Sequence, residues 1–259
     1  MTPEEYNAFT QELLDNVSRD ADVLGLVAVG SMAAQDYLPD RWSDHDFFLL
    51  VKSGEQARFR SDLCWLPRHA EIVLSFQETL HGLKVVYEDS HMLEFAVFDL
   101  EELNLAGVNR YRVLLDREKV EQRVKDLQTT TTLRTQAGNN SDEFLFKMFL
   151  CNLLVGVWRY RRGERLSGHQ FVKVHALTHL IKLLTKYQPS PQKGLLDNLD
   201  PTRRFEKAYP ELGQTLDNLL LLETPRAATA MLDLAETTLA GHLDDYPVKA
   251  VEVVRRELL

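Results

Sequence analysis

The chain is poor in the residues that announce a fold by themselves. Two cysteines in 259 residues cannot build a disulfide framework, and no CxxC or Cys/His spacing marks a structural zinc. Cys64 and Cys151 sit in apolar contexts (Leu63 and Trp65; Leu150 and Leu153), which predicts buried, reduced thiols in a cytoplasmic protein. No apolar run approaches the length that spans a bilayer. The first residues, Met1-Thr2-Pro3-Glu4-Glu5, lack the basic and apolar character of a secretory signal. They read instead as a helix start, with Thr2 as N-cap, Pro3 in the first turn and Glu5 closing a capping box. A basic excess is also missing: 39 acidic against 30 basic residues give a formal charge of −9. Nucleic acid is held largely by phosphate neutralisation, so this balance argues against it as a general partner. The local exception is Arg159, Arg161, Arg162 and Arg165, which suit a solvated helix end or a phosphate contact equally. Internal repeats and low-complexity tracts are absent as well.

What is present has two textures. Up to about residue 116, short β-like runs alternate with helices. The predicted strands are 23–29, 46–51, 72–76, 83–87, 93–98 and 111–115, and the predicted helices 4–17, 33–37 and 55–64. The polar stretch 129–141, threonine-rich and ending in Gly138-Asn139-Asn140, reads as the linker. Beyond it the pattern is helical. A helix over 142–161 would bury Phe144, Met148, Cys151, Leu154, Val155 and Trp158. A second over 170–187 would bury Val172, Leu177, Leu180, Leu183 and Leu184, until Pro189 and Pro191 break it. Further helices are expected over 212–222, 227–243 and 248–258. The expected class is α+β, a mixed-sheet domain over 1–130 followed by an all-α helical bundle over 131–259.

Chemistry concentrates where the first two strands meet. The run Leu24-Gly25-Leu26-Val27-Ala28-Val29 closes in Gly30-Ser31, and eleven residues later Ser43-Asp44-His45-Asp46 opens Phe47-Phe48-Leu49-Leu50-Val51. Side chains two apart on a strand share a face, so Asp44 and Asp46 project together while His45 and Phe47 point away. Paired carboxylates repel unless a cation lies between them, and they offer Mg²⁺ the hard oxygens it prefers. A glycine at the strand exit lets the backbone approach a phosphate, and the Ser31 hydroxyl adds a donor. Gly25 with Gly30-Ser31 has the outline of a P-loop, but the lysine is missing and the residues between belong to a buried strand. A third acid comes from His91-Met92-Leu93-Glu94-Phe95-Ala96-Val97-Phe98-Asp99. Glu94 is costly on an otherwise apolar strand, which favours it. Asp99 has the opposite parity, and Glu102 three residues on makes it a helix cap.

A Gly-Ser at the first strand's exit, a DxD, and an acid on a neighbouring strand resemble the nucleotidyltransferase superfamily related to DNA polymerase β. Here those residues are Gly30, Ser31, Asp44, Asp46 and Glu94, over about 23–99. Within it the chain looks most like the antibiotic nucleotidyltransferases, which adenylylate lincosamides or aminoglycosides and append a helical bundle. The stretch from Phe149 to Glu164 is similar in tenor to the helical domain of the lincosamide enzymes. The Arg-Gly common after the GS turn is absent, Ala33-Ala34-Gln35-Asp36 standing there instead, and the insert before Ser43 is slightly long. The resemblance implies a cytoplasmic antibiotic-resistance enzyme that moves AMP from Mg²⁺-ATP, or another nucleoside triphosphate, to a hydroxyl of a small molecule. It implies that Gly30, Ser31 and Ser43 hold the nucleotide and that Asp44, Asp46 and Glu94 hold the metal, with Glu94 also the base for the acceptor hydroxyl. The alternatives are transfer to a protein or tRNA, or a non-catalytic nucleotide-binding regulator. Lys147 and Lys173 would suit a triphosphate contact or solvent. His175 and His179, four apart, lack a third ligand and read as core or cleft-lining residues. Trp158 and Tyr160 read as packing aromatics, and the apolar helical half could supply a homodimer interface.

Overall fold

The computed structural model describes residues 1–35, 38–137, 141–244 and 246–259. It falls into two compact units, Met1–Gln136 and Ala137–Leu259. In the first, β1 (Val23–Val29), β2 (His45–Val51), β3 (Ile72–Gln77), β4 (Gly82–Tyr87), β5 (Met92–Phe98) and β6 (Tyr111–Asp116) form one sheet in the order β3-β4-β5-β2-β1-β6. Only the β2–β5 pair is parallel, so the sheet is mixed and the class is α+β. Among the described residues six strands are found where six are expected, each within one residue of the expected bounds.

Burial explains the strand patterns. β1 lies between β2 and β6 and is covered on both faces, so it reads as a continuous apolar run rather than an alternation. Helix α1 (Pro3–Ser18) lays Tyr6, Phe9, Leu13 and Val17 into one core with Phe47, Leu49, Phe95 and Val97. Its start has the capping box foreseen: the Glu5 N–H donates to the Thr2 hydroxyl, and the Thr2 N–H to the Glu5 carboxylate. Opposite that core, Leu24, Val27, Leu50 and Phe98 pack with Val120, Val124 and Leu127.

Those last three belong to a helix, α3 (Val120–Ala137), that corrects the expected linker over 129–141. The threonines sit inside it because their hydroxyls bond back one turn: Thr129 to the Lys125 carbonyl, Thr130 to Asp126, Thr132 to Gln128 and Thr135 to Thr131. Gly138, Asn139 and Asn140 lie outside the described residues. The helix expected over 33–37 is also corrected. A 3₁₀ turn, Gly30–Ala33, stands at its start, while Asp36 and Tyr37 lie outside the described residues. Helix α2 (Gln56–Ser61) is shorter than the 55–64 expected.

The second unit is helical. It comprises α4 (Asp142–Arg161), α5 (Arg165–Gln170), a π-helical segment Phe171–Ala176, α6 (Leu177–Tyr187), α7 (Phe205–Ala208), α8 (Pro210–Leu220), α9 (Thr224–Leu239) and α10 (Val248–Leu258). Val172, Leu177, Leu180, Leu183 and Leu184 are buried as expected. The stripe of α4 is not the expected one. It buries Leu145, Phe146, Phe149, Leu150, Leu153 and Val157, whereas Phe144, Cys151 and Trp158 are exposed. Those exposed residues share a face with Lys147, whose ammonium belongs in water. Cys64 is exposed too, so neither thiol is buried.

Candidate metal centre

The carboxylates come together through strand register. β2 and β5 run parallel with Asp46 opposite Glu94, and one position on Phe47 opposes Phe95. The two phenylalanine rings stack 4.9 Å apart on the α1 side, so the two acids share the other face. Asp44, just before β2, joins them. One ligand atom from each of Asp44, Asp46 and Glu94 lies within 4.8 Å of the others. Oxygens around an ion with ~2.1 Å bonds stand about 3 Å apart, so modest side-chain rotation would close the trio on Mg²⁺. An all-carboxylate donor set fits that hard cation rather than a soft one. Among the described residues no other group of His, Cys, Asp and Glu forms such a cluster, and His175 and His179 are not part of one.

Gly30 is fixed by the same carboxylates. Its φ of +55° is left-handed, and a Cβ there would stand 2.4 Å from Asp46 Oδ2. Only glycine lets the turn pass so close to the acid. The turn is clasped from β6: Arg112 donates to the Met32 carbonyl at 3.3 Å and Gln35 to that of Tyr111 at 2.7 Å. Gly25, by contrast, makes room for Val120 of α3 and has no part in the centre.

Both serines bond within the loop, Ser31 from a buried place and Ser43 from a half-exposed one. Ser31 is buried and donates to the Asp44 carbonyl at 3.4 Å, an oxygen that also accepts from the Tyr6 hydroxyl at 2.8 Å. Ser43 Oγ accepts from the Asp40 N–H at 2.9 Å, closing the turn that leads into β2. Under the site, His45 is fully buried, stacked on Tyr6 at 3.7 Å, with Nδ1 2.8 Å from Nε2 of His91. Burial, reinforced by the neighbouring His91, drives the His45 imidazole far below its usual value, and burial does the same to His91. The two imidazoles beneath the centre are therefore neutral near pH 7.

The other acid and the cations of the sequence reading have structural places. Asp99 is buried and accepts N–H donation from Glu101 and Glu102, while its own N–H donates to Glu102; Ser53 and Gln56 donate to its second oxygen. Lys147 pairs with Glu143 one turn away. Lys173 donates to the Leu220 and Leu222 carbonyls at 2.7 and 2.6 Å, capping the end of α8. Arg161 likewise donates to the carbonyls of Glu257 and Leu258 at the end of α10, and Arg159 donates to Ser167. Arg162 pairs with Glu164, and Arg165 lies over the Tyr160 ring. Trp158 donates to Glu257.

Lys84 went unremarked in the sequence. It is the register partner of Glu94 on β4, with Nζ 3.0 Å from Glu78 and 3.5 Å from Glu94. A lone charge inside the strand Gly-Leu-Lys-Val-Val-Tyr was the available signal. Tyr6, His91, Gln35 and Arg112 are long-range supports that no local pattern marks.

No family model matches the sequence, and no curated protein does. Among solved structures the chain is similar to an aminoglycoside 6-adenyltransferase from Bacillus subtilis, at 14% identity over 96% of this chain and 97% of that one. The TM-score is 0.37, too low for that likeness to support more than itself.

Proposed function

We propose that the chain is a Mg²⁺-dependent nucleotidyltransferase that moves AMP from ATP to a hydroxyl of a small molecule. The observation that carries this is the convergence of Asp44, Asp46 and Glu94 against Gly30, where a Cβ would stand 2.4 Å from Asp46 Oδ2. Such crowding of like charge is eased when a divalent cation binds among the three oxygens. Bound Mg²⁺ would neutralise the triphosphate and the charge that develops as phosphate is transferred. Asp44 and Asp46 would hold it, with Glu94 completing the ligand set or facing the acceptor. Because the Ser31 and Ser43 hydroxyls serve the loop itself, phosphate contact in this reading falls to backbone N–H groups of the 30–33 turn.

The acceptor oxygen forms a bond to the α-phosphorus as the bond from that phosphorus to the α–β bridging oxygen breaks. Pyrophosphate departs, and the hydroxyl proton passes to the Glu94 carboxylate. ATP and Mg²⁺ supply place the reaction in the cytoplasm. The resemblance in the residues makes lincosamides and aminoglycosides the first acceptors to try, while the charge of −9 weighs against tRNA. The test is mass spectrometry of those compounds after incubation with protein, Mg²⁺ and each nucleotide. A gain of one nucleoside monophosphate on an acceptor, lost in Asp44→Asn and Asp46→Asn by at least about a hundredfold, supports the reading. Full activity in either variant sinks the metal model, and ATP binding without turnover on any acceptor favours a regulator.

A further inference from the structure

The third carboxylate does not stand alone. We infer that Lys84 is a positioning residue, an internal counter-cation that occupies Glu94 until a divalent ion displaces it, with Glu78 as the acid to which it retreats. The inference rests on the metal reading above and adds the device that regulates access to it.

Register brings this about. Across the sheet Lys84 opposes Glu94 on one side and Phe76 on the other, so Lys84, Glu94 and Asp46 form one row on one face of β4, β5 and β2. The ammonium lies between two carboxylates at unequal distance, 3.0 Å from Glu78 and 3.5 Å from Glu94. Glu78 lies on the turn after β3, outside the trio. A cation entering the trio draws on Glu94 and repels Lys84. The lysine's flexible stem and its shorter contact let it stay paired with Glu78, so Glu94 is released without stranding a charge. Binding of the divalent ion and pairing of Lys84 with Glu94 therefore oppose each other, and by linkage each weakens the other.

The two partners of Lys84 give tests of opposite sign. Removing the lysine takes away a competitor, whereas removing Glu78 leaves the ammonium wholly on Glu94. A merely structural lysine would shift metal affinity in one direction or not at all. The experiment titrates Mn²⁺ alone into the full-length chain at low ionic strength, following free Mn²⁺ by electron paramagnetic resonance. Lys84→Met is expected to tighten Mn²⁺ about 3- to 10-fold, the scale of one unit charge acting at a few ångströms near a protein surface. Glu78→Gln is expected to loosen it by a smaller factor, and Lys84→Arg to bind as wild type does. In a Glu94→Gln background Lys84→Met should have a much smaller effect, only the long-range charge remaining, and added salt should shrink it further. The side chains of Lys84, Glu78 and Glu94 are at least partly exposed, and a thermal melt confirms the fold of each variant. Mn²⁺ binding that depends on Asp46 but is equal in wild type and Lys84→Met overturns the role of Lys84 and spares the metal centre. Binding that ignores Asp46→Asn overturns both.

Discussion

Gly30 is constrained in two ways at once. Alanine there meets two separate penalties. Its backbone must hold φ at +55°, and its Cβ must share space with Asp46 Oδ2 at 2.4 Å. The first costs an L-residue about 1 kcal/mol, and the second is relieved only by moving the turn or the carboxylate. Gly30→Ala is expected to lose about 1–3 kcal/mol in urea denaturation and to weaken Mn²⁺ binding at least tenfold, because the acid displaced is one of the proposed ligands. Wild-type Mn²⁺ affinity in that variant would show that Asp46 does not serve the ion. This residue was legible in sequence as a glycine at a strand exit, and the DxD parity followed from the two-residue strand repeat. The inward turn of Ser31 was not, because its partner is the Asp44 carbonyl, thirteen residues away in sequence and adjacent only after β1 and β2 pair. Lys84 was missed for the same reason: its meaning lies in register with Glu94, which a single strand does not reveal.

Among the elements, the end of β5 shows how a carboxylate can be spent entirely on architecture. Asp99 ties three pieces together: the 3₁₀ turn Glu102–Leu105 through two backbone N–H groups, Ser53 after β2, and Gln56 at the start of α2. The Glu102 N–H, then the Glu101 N–H, the Ser53 hydroxyl and the Gln56 side-chain amide, hold its carboxyl below the ordinary value against the opposing effect of burial. Its native value thus lies under the unfolded one. The stabilisation is complete above the unfolded value of about 3.8 and is lost as pH falls through the lower native value. Asp99→Asn is expected to cost about 1–3 kcal/mol at pH 7 and to flatten the acid limb of the stability curve below about pH 4, measured by denaturant melts from pH 3 to 7. An unchanged acid limb would show that other carboxylates govern it. The reciprocal Asp99–Glu102 pattern was readable from spacing alone, as was the capping box of α1. The face of α4 was not, because nearly every position between Phe144 and Trp158 is apolar and periodicity has no contrast to work on. Lys147 held the answer, marking the exposed side that carries Cys151. The threonines of α3 misled for a different reason, since side-chain bonds to the preceding turn reconcile them with a helix.

For the molecule as a whole, the question is where the part that carries the centre ends. The cores of the first unit draw on residues from Tyr6 to Leu127, and that of the second on residues from Leu145 to Leu258. A change from strand-rich to helix-rich texture is visible in the sequence, but α3 blurs it, because this helix resembles the second half while its side chains complete a core of the first. Val120, Val124 and Leu127 all precede residue 130, so apolar burial alone would allow a cut there. The polar accounting does not. Thr131 is buried, and its hydroxyl accepts the Val108 N–H at 3.1 Å, also in the core. A chain ending at 130 leaves that N–H without its acceptor and removes the last two turns of α3. A fragment of residues 1–137 is expected to fold cooperatively and to bind Mn²⁺ as the full chain does. The 1–130 fragment is expected to be less stable by about 1–3 kcal/mol, the cost of one buried unpaired donor. In the 1–137 fragment Thr131→Val should reproduce most of that loss and Thr131→Ser little of it, because serine keeps the acceptor. Equal stability of the two fragments in urea melts would place the boundary before α3 ends and make Thr131 dispensable, whereas failure of 1–137 to fold would show that the centre depends on the helical unit for its stability.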